Sequence, residues 1–268
     1  MRNIKIILAY DGTDYCGWQA QPGQVTVQGV LTDALERLTK LRPIMFASGR
    51  TDAGVHAAGQ VVNFNTQAVL APGEFQRALN ALLPNTIRVH GAEEVSPDFH
   101  SRRDALAKTY RYRIFRGRVV SPFLWRFVHQ DSMDLDFEAM NEAARHFVGE
   151  HDFASFAAST GSEEYDRERS TIRTVYRSEW QRVQINDSIN SMDAGEEWVY
   201  TVRGKSFMRY MVRKMVGTML NAGRGKMAPS DMPGLFALRD RSKSGQTMPP
   251  QGLCLEHVEY PDPANSLG

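Results

Sequence analysis

Between residues 3 and 95 the apolar residues change their spacing in a fixed order, and that order returns between residues 106 and 260. Residues 3–10 read as a strand. Val27, Val30, Leu31, Ala34, Leu35 and Leu38 then recur at helical spacing behind Thr26, a residue type that caps helices. Residues 44–47 and 60–65 read as strands. Pro72 opens a second helix through Phe75, Ala78, Leu79, Leu82 and Leu83; Pro84 ends it, and residues 86–95 form a strand. The order is β-α-β-β-α-β, the split βαβ arrangement.

The second half repeats it. Residues 106–115 make a strand, and Asp136 caps a helix carrying Phe137, Met140, Ala144, Phe147 and Val148, with Gly149 as its stop. Residues 174–184 and 197–203 suggest two strands around a polar loop. Met208, Met211, Val212, Met215, Val216, Met219 and Leu220 form a helical stripe that reads as core and ends at Gly223. A short helix near 231–239 and a strand at 252–260 complete the set. The pattern predicts an α+β protein of two ferredoxin-like halves, 1–104 and 105–268, with adjoining antiparallel sheets and a cleft between them.

The 268 residues carry a net charge of +1, but the charge is unevenly spread. Residues 101–118 hold seven Lys or Arg and one acid, Asp104; residues 203–226 hold seven Lys or Arg and no acid. Two such blocks can present a basic face, or be two solvated faces. The two cysteines, Cys16 and Cys254, lie far apart, which excludes a disulfide framework and a structural zinc site and fits a reducing compartment. Lys5 interrupts the first apolar run and no small-residue cleavage site follows, so no signal peptide is expected. No stretch approaches the about 18 apolar residues of a membrane span.

The stretch FASGRTDAGVHAAGQVVNF, residues 46–64, sets Arg50, Thr51, Asp52 and His56 among glycines. Gly49 and Gly54 have the spacing of a phosphate loop, but Val55 and His56 stand where Lys and Ser or Thr are required. Asp52 and His56 lack a third metal ligand nearby in sequence. Two readings stay open. The stretch is a glycine-rich turn with Asp52 bonding its own backbone, or it displays Arg50 and Asp52 into a cleft.

GRTDAGVHA closely resembles the catalytic motif of the tRNA pseudouridine synthase A family. The resemblance extends through YDGTDYCGWQAQ (10–21), VQGVLTDAL (27–35), DFHSRRDALAKTYRYRIF (98–115), HDFASF (151–156), IRTV (172–175), FMRYMVRKMVG (207–217) and GLCLEHVEYP (252–261), in the family's order. It implies isomerisation of uridine to pseudouridine at positions 38, 39 or 40 of the tRNA anticodon stem-loop, without cofactor or metal. It also implies a cytoplasmic homodimer with no membrane association, in which one tRNA can contact both subunits.

By the same resemblance, Asp52 is the catalytic carboxylate and Arg213 the guanidinium that keeps it charged. Tyr110 stacks on the flipped uracil, Arg50 fills the vacated space and contacts RNA, and Leu253 is an apolar contact to the ring. Tyr112 shares the facing of Tyr110, so its role is open. His56 reads as a hydrogen bonder that holds the loop. Arg102, Arg103, Lys108, Arg111, Lys205, Arg209 and Lys214 are candidates for phosphate contacts, which position RNA without reading its sequence.

The chain departs from the family at Cys254, where an aromatic is common, and the polar loops 157–171 and 186–196 match no family block. Two other functions compete. A non-catalytic RNA-recognition module would show an RNP1 pattern, which is missing from the sequence. A hydrolase using Asp52 and His56 leaves both basic blocks unexplained.

Overall fold

The computed structural model describes residues 1–157, 170–184 and 195–261. The two polar loops at 157–171 and 186–196 lie almost entirely outside the described residues. The chain divides into two compact units, one built from Met1–Lys108 together with the segment that starts at Cys254, the other from Thr109–Leu253.

The first unit runs β1 (Arg2–Tyr10), α1 (Val27–Thr39), β2 (Met45–Ala47), β3 (His56–Thr66), α2 (Pro72–Leu82) and β4 (Ile87–Val95). β1 lies between β3 and β4, antiparallel to both, and β2 pairs antiparallel with β3, giving the order β4-β1-β3-β2. Ile4, Ile6 and Leu8 alternate onto one face of β1 and are fully buried. Val27, Leu31 and Leu35 of α1 and Phe75 and Leu79 of α2 supply the other side of that core. Each such side chain contributes roughly 1.5–3 kcal/mol on burial. The Phe64 and Phe75 rings meet edge to face at 5.8 Å and hold α2 against β3.

The local signals act as their chemistry requires. Thr26 Oγ1 accepts from the Gly29 amide at the start of α1. Leu83, the residue before Pro84, is extended and ends α2. Sequence order groups the last strand, β10 (Leu253–Glu259), with the second half, yet it pairs parallel with β3, Cys254 opposite His56 and Leu255 opposite Ala57.

The second unit contains β5 (Ala107–Phe115), whose first two residues, Ala107 and Lys108, belong to the first unit, then β6 (His129–Gln130), α3 (Phe137–Arg145), β7 (Gly149–Asp152), β8 (Ile172–Gln184), β9 (Glu196–Gly204), α4 (Met211–Gly223) and α5 (Met232–Leu238). Its strand order is β5-β9-β8-β7, with β6 on β5. Met211, Met215 and Met219 of α4 are fully buried, so the methionine stripe is core. The Trp180 indole N–H points at Met219 Sδ, 3.1 Å away, and Ser178 Oγ donates to the Ala144 carbonyl. Arg113 and Glu197 form a two-pronged ion pair at 2.8 and 2.7 Å.

Two helix boundaries differ from the sequence pattern. α3 ends at Arg145, because the Phe147 and Val148 amides bond three residues back, to Ala144 and Arg145, and tighten the chain before Gly149 turns it with φ 115°. Phe147 is still buried, but Val148 is exposed. α4 starts at Met211, not Met208, because Tyr210 adopts φ 61° and breaks the helical path just before it.

Candidate active site

In the first unit, the turn from Ser48 to Val55 joins β2 to β3 and is braced from three sides. The Val55 amide bonds the Asp52 carbonyl, and Gly54 takes φ 75°, the left-handed region in which glycine is strain-free. The Trp18 amide donates to the Thr51 carbonyl, and the Gly54 amide donates to the Tyr15 carbonyl. Gly12 passes so close that a Cβ there would fall 2.0 Å from the Val55 oxygen. The YDGTDYCGW segment is therefore the bed on which GRTDAGV rests.

Beneath the turn lies a buried polar network. Tyr10 Oη and Thr51 Oγ1 are 2.8 Å apart; Gln60 Nε2 donates to the Gly49 carbonyl, and Ser48 Oγ donates to Gln60 Oε1. Burial pushes the Tyr10 hydroxyl pKa well up, so it stays a neutral phenol. His56, at 4% exposure, accepts the Gly12 amide on Nδ1 and stands 3.3 Å from Asp11. It opens β3 and holds the loop in place. Above this network the turn presents Asp52, half-buried, and Arg50, exposed.

Lys108 donates from Nζ to the Ser48 carbonyl, 2.6 Å away, and burial followed by the Arg102 charge lowers its pKa to about 8. Arg102 is exposed; Arg103, also exposed, is tied to Asp104 and to the Asp98 carbonyl.

In the second unit, Tyr110 on β5 is 8% exposed and meets Phe207 edge to face at 5.2 Å. Tyr112 is fully buried, donates its hydroxyl to the Pro249 carbonyl, and has its pKa raised by burial. That bond gives Tyr112 a structural job. Arg213, on the first turn of α4, donates from Nε to the Met248 carbonyl at 2.5 Å, and its guanidinium stacks over the Tyr210 ring at 4.9 Å. The Met248 amide returns the contact to the Arg213 carbonyl. Residues 248–252 are thus clamped to α4 by Arg213 and to β5 by Tyr112, and they deliver Leu253, 5% exposed, at the start of β10.

Of the remaining cations, Arg111, Lys205 and Arg209 are exposed. Lys214 donates to the Arg241 carbonyl and Ser244 Oγ, so its ammonium fixes that segment. Tyr10, Gly12 and Gln60 were not singled out from sequence. The available signal was the pair of glycines, Gly12 and Gly17, among aromatics in YDGTDYCGW. Among the described residues no three His, Cys, Asp or Glu side chains cluster as a metal site, and no helix is long and apolar enough to cross a membrane.

The family model described as tRNA pseudouridine synthase matches residues 6–104 and 143–261. A relative from Geotalea daltonii, named tRNA pseudouridine synthase A, is 43% identical over 97% of this chain and 100% of its own length. One of the same name from Solibacter usitatus is 44% identical over 97% of this chain and 100% of its own. One from Geobacter sulfurreducens is 43% identical with the same coverage. A match of that extent, over both units and through the braced Arg50–Asp52 turn, places the chain in the tRNA pseudouridine synthase A family of isomerases.

Proposed function

We propose that this enzyme converts uridine to pseudouridine at positions 38, 39 or 40 of the tRNA anticodon stem-loop, acting in the cytoplasm as a homodimer. In that reaction the C1′–N1 bond breaks, the uracil turns, C1′ joins C5, the C5 hydrogen leaves as a proton and N1 takes one up, so nothing is oxidised and no atom is added. The base must first leave its stack, at a cost of roughly a few kcal/mol.

Asp52 is the catalytic group in this reading, as nucleophile or as base toward the ribose. Arg213 keeps its carboxylate ionised, Tyr110 and Leu253 hold the flipped uracil, and Arg50 contacts the RNA beside it. Each unit is read as a ferredoxin-like split βαβ, which the strand order β4-β1-β3-β2 of the first unit supports. Arg102, Arg103, Lys108, Arg111, Lys205, Arg209 and Lys214 are the pool from which backbone contacts are drawn.

The observation that carries the reading is the Asp52 turn itself. A half-exposed carboxylate sits on a loop locked by Tyr10, Gly12 and Gln60, the rigidity that positioning at a reacting carbon requires. The test is tritium release from tRNA labelled with [5-³H]uridine, followed by mapping of the modified positions. Release with pseudouridine at 38, 39 or 40 supports the reading; pseudouridine confined to another tRNA region removes the site assignment.

A further inference from the structure

Lys108, at the start of β5, reaches the start of the Asp52 turn. Its ammonium has three donors; among the described residues it makes one hydrogen bond, to the Ser48 carbonyl, and pairs with no carboxylate. Arg102, on the turn after β4, carries a like charge within electrostatic range. Arg50 follows on the loop and is exposed. Asp104 is engaged by the His100 amide and Arg103, and the Tyr260 hydroxyl, its pKa raised by burial, donates to the Ser101 carbonyl.

Gly49 lets the Lys108 stem and ammonium lie close against the loop backbone, since a Cβ there would crowd Nζ at 3.2 Å. A half-buried cation beside a second cation, with no carboxylate partner among the described residues, is costly to maintain unless an anion arrives. Its place, one residue before Arg50 and three before Asp52, says where that anion would be.

We propose that Lys108 and Arg102 form a phosphodiester site, in which one backbone phosphate of the RNA strand sits on the Lys108 ammonium over Gly49 with Arg102 as its second cation. The proposal rests on the tRNA reading and deepens it, because it selects two residues from the basic pool and sets them beside the nucleotide presented to Asp52. Two cations choose a phosphate and ignore base identity. The arriving phosphate also supplies the missing counter-charge, so above about pH 8 RNA binding is coupled to proton uptake by Lys108.

The experiment measures single-turnover tritium release over a range of enzyme concentrations, which separates the half-saturating concentration from the maximal rate. Filter binding on the same samples reports affinity without chemistry. Between pH 7.0 and 8.8 wild-type affinity should fall on the order of fivefold with the maximal rate little changed. Lys108→Arg should bind with no such pH dependence. Lys108→Met should bind weakly at both pH values, and its salt dependence should be shallower by about 0.7–0.9. Arg102→Gln, an exposed change that leaves the fold intact, should weaken binding and move the pH-dependent loss upward by relieving Lys108 of its like-charged neighbour.

Lys108→Met with affinity within twofold of wild type and an unchanged salt slope would overturn the proposal. So would a loss confined to the maximal rate, which would make Lys108 a brace of the loop alone. If Lys108→Met does not fold, the Arg102→Gln and Lys108→Arg arms decide by the same criteria. A wild type that neither binds tRNA nor releases tritium overturns the functional reading and the proposal together, an outcome distinct from loss of the proposal alone.

Discussion

The Tyr10 hydroxyl and Thr51 Oγ1 lie 2.8 Å apart in the interior of the first unit, which ties the residue before Asp52 to the end of β1. Tyr10→Phe removes that link and leaves the Thr51 hydroxyl unmatched in a buried site. Stability should fall by about 1–3 kcal/mol in urea denaturation. The maximal rate of tritium release should fall more than tRNA affinity does, because the change loosens the turn and touches no cation.

Gly12→Ala tests the same bracing from the other side. Its new methyl would meet the Val55 carbonyl, and no rotamer change can relieve a backbone collision. The turn must shift or the bed must move, at about 1–3 kcal/mol for overpacking. The expected result is a maximal rate at least tenfold lower with affinity within threefold of wild type, measured beside a thermal melt. A variant with wild-type rate and stability would show that the close approach does not position Asp52.

The Lys108 proton gives a pH test of stability. Its pKa is about 8 in the folded protein, against ~10.4 for an unperturbed lysine. Between those values the unfolded chain holds a proton that the native state has lost, so this group's contribution to stability rises with pH. Lys108→Met lacks the effect. The stability of wild type relative to the variant should therefore increase between pH 7.5 and 10, measured by urea denaturation at both ends. A difference that is flat or declines contradicts the burial of a charged Lys108.

Arg213→Ala removes the guanidinium assigned to Asp52 and also the donor that holds the Met248 carbonyl. Turnover should fall by at least about a hundredfold, roughly 2.7 kcal/mol of barrier, while tRNA affinity changes little. Near-normal turnover would make Arg213 only a clamp for residues 248–252.

Local chemistry was legible where it is written in single residues. Thr26 caps α1 and Asp136 caps α3 as their side chains dictate, and Pro84 ends α2 by forcing Leu83 out of the helical region. Tertiary constraints were not legible. The pairing of β10 with β3 depends on where the chain returns in space, and β2, β6 and β7 run only two to four residues, too short for a period to show. The early end of α3 reflects bonds to Ala144 and Arg145 that compete with a pattern still apolar at Phe147 and Val148. At the site, the resemblance pointed to Asp52, but the bed beneath it is made by residues dozens of positions away. Tyr10 and Gly12 reach the turn from β1 and the loop after it, which no local window relates to Thr51 and Val55.

Asp52→Asn is the most direct test of the central claim. Asparagine keeps the size and turn-forming capacity of aspartate, so the Val55-to-Asp52 backbone bond and the bed beneath it should survive. It loses the ionised oxygen, and no other carboxylate lies in GRTDAGVHA to replace it. The measurement is single-turnover tritium release beside filter binding. The account predicts a rate loss of at least about four decades, roughly 5.5 kcal/mol of barrier, with tRNA affinity retained or tightened and still weakening as salt rises. A variant that turns over within tenfold of wild type would contradict it.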